Sequence, residues 1–496
     1  MTPPGFPPPA AGFPPPAAGF PPPAAGPPPA AGPPPARAAA RTWHAELAWL
    51  PGLGVRSDVL IEASGDRFTL VKPGVRAGAL PPGVTMLSGL TLPGLANAHS
   101  HAFHRALRGI TQAGEGTFWT WRERMYQVAA ALDPDSYLDL ARAVYAEMAL
   151  AGITCVGEFH YLHHGPDGTP YADPNEMSRA LIGAAAQAGI RMTLLDTCYL
   201  AGGLGPDGTP QPLAGTQLRF SDGDGEAWVT RAEALGADEH GLLGPLARAG
   251  AAIHSVRAVP VDQMHPVIAW SHRYGAPLHV HLSEQVAENE ACLAAYRRTP
   301  AEVLYDADAL GPRSTVVHAT HLVNRDIELL GGTSTFACLC PTTEADLADG
   351  IGPAADLASA GCPLTVGSDS QAVVDLFEEA RRVELYERLA TQRRGHFTAD
   401  ALARAASING HTSLGWPDAG EIVPGAIADL VTVALDTPRL AGTSAAAVLE
   451  SVIFAATAAD VVNVVIGGRD VVRDGRHLLI ENVPAALSAA IRAVLP

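Results

Sequence analysis

Two histidines separated by one residue follow an apolar segment of the chain. His99 and His101 flank Ser100, and the segment from Leu92 to Ala98 before them is a candidate strand. Side chains two residues apart in a strand point to the same face, so the two imidazoles would face one way. Such a pair can hold a metal ion. The motif alone is weak, because two polar histidines near a loop give the same pattern.

Two further candidate ligands stand at the ends of other apolar segments. His281 ends one candidate strand and Asp369 follows another. Three imidazoles and one carboxylate suit Zn²⁺, and Fe²⁺ accepts the same ligands. An open position on such an ion would hold a water whose pKa the ion lowers. The sequence therefore predicts one divalent metal per chain, with Zn²⁺ favoured and Fe²⁺ as the alternative.

Eight apolar segments alternate with helical stretches over residues 91–420. The candidate strands are Leu92 to Ala98, Ile153 to Phe159, Arg191 to Cys198, Ala252 to Val256, Leu278 to Leu282, Thr315 to His318, Thr335 to Leu339 and Leu364 to Val366. This alternation predicts an α/β fold, a (β/α)8 TIM barrel, whose active site is built at the carboxyl ends of the strands. Polar residues do cluster at those ends, including Glu158, His254, Arg257, Glu284 and His318.

The two ends of the chain differ from the middle. Residues 42–90 and 421–480 read as short strands with turns, which predicts one small β domain built from both ends, followed by a helix over 481–496. Residues 1–36 repeat proline triplets with alanine and glycine, a composition that cannot build a core. We expect a disordered tail there, with a ligand for a proline-binding domain as the alternative.

Composition excludes several classes of partner. The 496 residues include 33 Lys+Arg and 51 Asp+Glu, a net charge of −18, so a nucleic-acid partner is not expected. We find no apolar run of about 18 residues and no secretory signal, so neither membrane insertion nor export is expected. Six cysteines without a CxxC pair are typical of reduced thiols in the cytoplasm.

Taken together, these motifs resemble the amidohydrolase superfamily, in its mononuclear deaminase branch. The matching elements, in order, are His99-x-His101, His281-x-x-Glu284, His318 and Ser368-Asp369. The resemblance extends over about residues 42–480 and includes the split β domain.

Longer segments are similar to the formimidoylglutamate deiminase family within that branch. They are PGLANAHSHAFHRALRG, FWTWRERMY, GEFHYLHH, HSVRAV, HLSEQ, VHATHL, CPTTEADLADG and GSDSQ. The resemblance implies hydrolysis of N-formimino-L-glutamate to N-formyl-L-glutamate and ammonia in histidine degradation. It also implies a homodimer.

The resemblance assigns roles to individual residues. Metal ligands would be His99, His101, His281 and Asp369. Glu284 would carry protons to the leaving nitrogen. His318 would orient or help to deprotonate the attacking water, and Asp369 could also take the proton of that water.

Five residues would bind the substrate under the same resemblance: His104, Arg122, Tyr161, His254 and Arg257. The planar guanidinium of arginine binds a carboxylate bidentately, which suits a substrate with two carboxylates. The chain departs from the family in two places. His104 stands where the family usually has Gln, and the segment from Gly109 to Phe118 is shorter, which bears on the assignment of Arg122.

Other functions share parts of this pattern. A nucleobase deaminase of the same branch would keep the metal site but would have no use for two arginines in its pocket. A non-catalytic protein on the same scaffold would be free to lose Glu284 and His318, which this chain retains. An interaction protein acting through a proline-rich segment would involve residues 1–36 alone.

Overall fold

A computed structural model describes residues 40–113, 116, 118–238 and 241–495 of the chain. The segment 1–36, for which we expect a disordered tail, lies outside the described residues, as do parts of the short segment 109–118.

Eight parallel strands form a nearly closed barrel, which confirms the predicted α/β barrel. In barrel order they are Leu95–Ser100, Ile153–His160, Arg191–Cys198, Ala247–Ile253, Leu278–Leu282, Ser314–His318, Phe336–Leu339 and Leu364–Val366. The first and eighth strands meet through the Asp369 amide, which donates to the His99 carbonyl (3.0 Å), and the His101 amide, which donates to the Asp369 carbonyl (3.2 Å). This seam places candidate ligands from the two ends of the barrel sequence beside each other.

The first barrel strand begins later than the sequence predicts. Leu92 belongs to the strand Thr85–Pro93 of a different sheet, and the barrel strand starts only at Leu95. The chain changes sheets at Gly94, where an added Cβ would lie 2.2 Å from Thr154 Oγ1, so only glycine fits. A continuous apolar run does not reveal such a change of sheet.

The fourth barrel strand was predicted over residues 252–256 and instead spans Ala247–Ile253. Arg248 and Gly250 interrupt the apolar pattern at its beginning, although the backbone pairs with the third strand from Ala247 onward. Two further features lie between the barrel elements. One is a hairpin with two residues in each strand, Gly203–Leu204 and Pro210–Gln211, and the other is the short strand Leu242–Gly244.

Helices fill the connections and cover the barrel. Their bounds are Phe118–Ala131, Pro134–Leu150, Glu176–Ala188, Gly225–Ala234, Val261–Tyr274, Val286–Tyr296, Pro300–Asp306, Asn324–Gly332, Pro341–Asp346, Ala354–Ala360, Leu376–Thr391, Ala399–Arg404, Gly410–Ser413, Val448–Ala455 and Val483–Val494. Local chemistry explains several helix starts. Asp133, for example, accepts from the Ser136 amide while Pro134 occupies the first helical position. Among the helices that the structure describes, none combines the length and the apolarity that a bilayer crossing requires.

Strands from both ends of the chain form a second, mixed sheet, as predicted. Its order is Arg476–His477, Arg469–Arg473, Val461–Ile466, Leu430–Val433, Thr85–Pro93, Ala40–Leu50, Gly54–Ser64 and Arg67–Lys72. The two ends meet where Leu430–Val433 pairs antiparallel with Thr85–Pro93. The predicted β domain, residues 42–90, contains most of the strand Thr85–Pro93, but the sequence assigns Leu92 and Pro93 to the barrel.

Candidate metal centre and substrate cleft

Four side chains converge at the carboxyl end of the barrel, where the first, fifth and eighth strands end. Asp369 Oδ1 lies 3.3 Å from His99 Nε2 and 3.4 Å from His101 Nε2. His281 Nε2 lies 3.1 Å from His99 Nε2. All four side chains are buried. The structure thus brings together the four residues that the sequence singles out as metal ligands.

Hydrogen bonds fix which nitrogen of two of these imidazoles is free. His101 Nδ1 lies 2.9 Å from the Phe159 carbonyl, and His281 Nδ1 lies 3.0 Å from the His254 carbonyl. A carbonyl only accepts, so the hydrogen of each ring is on Nδ1 and the Nε2 lone pairs face the cluster.

The charge state of the four side chains agrees with a metal-binding role. Burial lowers the pKa of His99, His101 and His281, which keeps them neutral. Burial alone would raise the pKa of Asp369, but its contact with His99 and the other neighbouring imidazoles hold that pKa below its usual range. Lone pairs of three neutral imidazoles and one carboxylate that approach this closely fit a divalent cation.

A chain of buried hydrogen bonds supports the ligands from below. Asn97 Nδ2 donates to Ser368 Oγ (2.7 Å), which donates to Gln371 Oε1 (2.9 Å). Gln371 Nε2 then donates to Ser100 Oγ (2.8 Å), and Ser100 donates to Glu158 Oε2 (2.9 Å). Ser100, the last residue of the first strand, and Ser368, which lies just beyond the eighth strand, are therefore held to each other.

Glu284 and His318 lie beside the candidate ligands. His318 Nε2 is 3.8 Å from Glu284 Oε1 and 3.8 Å from Asp369 Oδ2. His318 and Asp369 adopt positive φ angles, 71° and 42°, which cost about 1–3 kcal/mol each outside glycine.

Burial raises the pKa of Glu284. Burial alone would lower the pKa of His318, but Glu284 and two further carboxylates raise it overall.

A cleft of about 580 Å³, counted with its open mouth, extends outward from this centre. Its walls include all five residues that the sequence assigns to the substrate, namely His104, Arg122, Tyr161, His254 and Arg257. His101, His281, Glu284, His318 and Asp369 line it as well. His99 lies fully buried and is not part of the wall.

His104, the residue that departs from the family pattern, is a buried neutral group. Its Nε2 lies 3.0 Å from the Tyr161 hydroxyl, and its ring centroid is 4.5 Å from that of His101. Burial lowers the pKa of His104 to about 3. It can therefore bind a ligand by hydrogen bonding but adds no positive charge at neutral pH.

The two arginines reach the cleft from different elements. Arg122 lies on the helix Phe118–Ala131 with its guanidinium carbon 5.6 Å from the centre of the Tyr126 ring. Arg257 follows the fourth strand, and its Nε is 3.6 Å from Oε2 of the fully buried Glu288. The cleft therefore combines a candidate metal centre with two guanidinium groups.

The sequence analysis missed several residues of the site. Tyr126, Tyr199 and Phe220 line the cleft. Tyr199 directly follows the third barrel strand, a position that could have marked it. Glu344 Oε1 lies 3.4 Å from His318 Nδ1 and accepts from the Cys340 amide (2.8 Å). Cys340 directly follows the seventh strand, and Glu344 lies four residues further along the chain.

The comparisons with known proteins agree with this arrangement. Residues 90–471 match the model of the amidohydrolase family. Formimidoylglutamate deiminase of Pseudomonas aeruginosa is 38% identical over 447 residues, which cover 87% of this chain and 95% of that protein. The 8-oxoguanine deaminase of the same organism is 29% identical, with 71% of this chain and 76% of that protein covered. A crystal structure of an amidohydrolase from Brucella melitensis superimposes with a TM-score of 0.84 at 34% identity, covering 92% of this chain and 100% of that one.

Proposed function

The chain belongs to the amidohydrolase family, and from that premise we propose that it is a metal-dependent deiminase acting on N-formimino-L-glutamate. The products would be N-formyl-L-glutamate and ammonia, a step of histidine degradation. The observation that carries the proposal is the placement of Arg122 and Arg257 in the cleft that opens from the four candidate ligands. Two fixed cations match the two carboxylates of a glutamate derivative.

The candidate ligands His99, His101, His281 and Asp369 would hold one divalent cation, with Zn²⁺ favoured over Fe²⁺. When bound, such a cation lowers the pKa of a water and polarises the group under attack.

The residues around this centre would move the protons of the reaction. Water adds its oxygen to the formimino carbon, and the bond from that carbon to the terminal nitrogen breaks to release ammonia. Asp369, ionised because its pKa is held low, would accept a proton from the attacking water. Glu284, whose pKa is raised by burial, would deliver a proton to the departing nitrogen. His318, 3.8 Å from both carboxylates, would orient the water between them.

A second candidate is deamination of a nucleobase or related amidine. The specific observation that favours it is the aromatic part of the cleft wall, where Tyr126, Tyr199 and Phe220 could stack against a flat ring. A neutral ring offers no carboxylate to the two guanidinium groups that line the cleft, which is why we place this candidate second.

The test is ammonia release by the zinc-loaded protein, with N-formimino-L-glutamate, guanine, 8-oxoguanine and cytosine in parallel. We expect ammonia and N-formyl-L-glutamate from the first substrate only, no release after the metal is removed with a chelator, and recovery when Zn²⁺ or Fe²⁺ is returned. Activity on a nucleobase without activity on N-formimino-L-glutamate would replace the proposed function by the second candidate.

We also propose a cytoplasmic homodimer. All six cysteines are free thiols, which suits a reducing compartment. The dimer rests on the family resemblance, and sedimentation of the purified chain tests it.

A further inference from the structure

Two tyrosine hydroxyls in the cleft wall share one buried amide. Gln217 Nε2 donates to the Tyr126 hydroxyl and to the Tyr199 hydroxyl, each at 3.1 Å. Tyr126 comes from the helix Phe118–Ala131, and Tyr199 directly follows the third barrel strand. Gln217 lies in the short 3-10 helix Gly215–Phe220, behind the wall rather than in it. One side chain thus sets the direction of hydroxyls from two different elements.

The orientation of the Gln217 amide follows from its other contact. The Ala214 backbone amide lies 3.1 Å from Gln217 Oε1, and a backbone N–H can only donate. The oxygen of the amide is therefore on the side of Ala214, and both hydrogens of its NH₂ group face the tyrosines. Each hydroxyl accepts one hydrogen from Gln217. Because the two hydroxyls are also hydrogen-bonded to each other, one of their two hydrogens remains available to a ligand.

His254 lies between Tyr199 and the candidate ligand His281. The Tyr199 ring is 4.5 Å from the His254 ring, which in turn is 5.0 Å from the ring of the candidate ligand His281. The Tyr126 ring lies next to Arg122. A substrate whose reacting carbon is at the metal centre would bring its far end to these hydroxyls.

The segment that carries Gln217 is anchored on both sides. Arg219 donates to the Leu132 carbonyl (2.8 Å) and to the Ala129 carbonyl at the end of the helix Phe118–Ala131, and to the His164 carbonyl (2.8 Å). The Phe220 ring packs 5.3 Å from the Tyr199 ring. The amide is therefore held in place independently of any ligand.

We propose that Gln217 is a positioning residue for substrate binding, which holds the Tyr126 and Tyr199 hydroxyls so that one of the pair donates a hydrogen bond to a carboxylate at the end of the substrate away from the reacting carbon. The inference rests on the proposed function, because it takes a dicarboxylate as the ligand. The pair adds a neutral donor beside Arg122 and thereby gives the carboxylate a fixed direction as well as a charge.

The experiment compares Gln217→Met with the parent protein. Methionine has a similar length but donates no hydrogen bond, so the hydroxyls lose their common support. We expect the KM for N-formimino-L-glutamate and the dissociation constant of glutarate, measured by calorimetry, each to rise about tenfold with kcat unchanged. Thr216→Val is the matched control. It removes the hydrogen bond from Thr216 Oγ1 to the Tyr126 backbone carbonyl (3.4 Å) and leaves the contacts of both tyrosine hydroxyls in place. It should therefore leave both constants unchanged.

Each outcome is decisive. If Gln217→Met leaves both constants unchanged, or lowers kcat alone, the inference is overturned, because Gln217 then has no part in binding the carboxylate. A parent protein that binds glutarate but does not turn over N-formimino-L-glutamate would refute the proposed function. The inference would then stand if Gln217→Met still weakens glutarate binding. If the parent protein does not bind glutarate, the inference is overturned. If Gln217→Met does not fold, the double variant Tyr126→Phe with Tyr199→Phe must show the same tenfold loss.

Discussion

Arg257 is the residue on which carboxylate recognition is most directly tested. It lines the cleft at the end of the fourth barrel strand, with the buried Glu288 behind it. Replacing Arg257 by alanine removes a charge-assisted contact, so we expect the KM for N-formimino-L-glutamate to rise about 10- to 100-fold, with a smaller change in kcat. Steady-state kinetics check this.

The control for Arg257→Ala is another arginine far from the cleft. Arg273 pairs with Glu233 at the surface, and its side chain is 69% exposed. Arg273→Ala should leave the KM unaltered. An unaltered KM for Arg257→Ala as well would contradict carboxylate binding by that residue.

Glu344 is expected to act on the reaction through His318. It is buried, holds His318 Nδ1 at 3.4 Å and is itself fixed by the Cys340 amide. Glu344→Gln keeps the size of the side chain but removes the negative charge that orients the imidazole. We expect kcat to fall about tenfold with the zinc content unchanged, measured by initial rates and by metal analysis of the same sample.

Asp346 provides the comparison for Glu344. It lies on the same short helix, is exposed and contacts only Gln112 among the hydrogen bonds described for it (2.7 Å). Asp346→Asn should retain full kcat. If both variants retain it, Glu344 does not position His318.

At the scale of the elements, the sequence predicts the strand ends better than the contacts between them. The sequence predicts that the candidate ligands meet, because His99 and His101 point to the same face of a strand and active sites of barrels lie at the carboxyl ends of the strands. The contacts of Gln371 and Glu344 are not predicted, because each joins side chains at the ends of different strands and no local sequence pattern marks it. The change of sheet at Gly94 was missed for the same reason, since it depends on space beside Thr154 rather than on local pattern.

The seam between the first and eighth strands makes a prediction of its own. Gln371 joins Ser100 to Ser368, so it ties together the residues adjacent to the candidate ligands. Gln371→Leu removes both of these hydrogen bonds and a third one, from Gln371 Nε2 to the Asp369 carbonyl (3.1 Å), and leaves the ligands less well aligned. We expect the affinity for Zn²⁺ to fall about 10-fold or more, measured by competition with a chelator of known affinity.

Thr365→Val is the control for the seam. Thr365 is fully buried on the eighth strand, and its hydroxyl has no hydrogen-bond partner among the described residues. Replacing it by the isosteric valine removes nothing that supports the ligands, so the zinc affinity should not change. Equal affinities for the parent and the Gln371→Leu variant would show that the seam does not align the metal centre.

At the scale of the whole molecule, a buried ion pair joins the terminal sheet to the barrel. Arg191 begins the third barrel strand, and Asp429 directly precedes the strand Leu430–Val433 of the terminal sheet. Arg191 Nη1 donates to Asp429 Oδ2 at 2.6 Å, and the Gly467 amide donates to Asp429 Oδ1 at 2.7 Å. The sequence indicated both sheets from their strand patterns, but this contact joins residues 238 positions apart and could not be seen there.

Asp429→Asn should destabilise the fold at neutral pH. The change removes the partner of a buried guanidinium, which costs about 3–5 kcal/mol and lowers the Tm by a few degrees. Burial alone would raise the pKa of Asp429, but Arg191 holds it below its ordinary value of 3.8. A carboxyl with a lowered pKa stabilises the folded state above its unfolded pKa and loses that effect as the pH falls through the folded pKa. The deficit of the variant should therefore be full at pH 7 and shrink below about pH 4.

Urea unfolding of the metal-free proteins at several pH values measures this deficit, and an exposed ion pair of the same region serves as the control. Arg67 and Asp418 lie 2.6 Å apart with side chains 45% and 38% exposed, so Asp418→Asn should cost about 0–1 kcal/mol. Because solvent compensates an exposed charge and cannot reach Arg191, the two variants should differ clearly at pH 7. Equal costs for the two variants, or a deficit for Asp429→Asn that does not change with pH, would mean that the terminal sheet is held on the barrel by apolar packing and not by this ion pair.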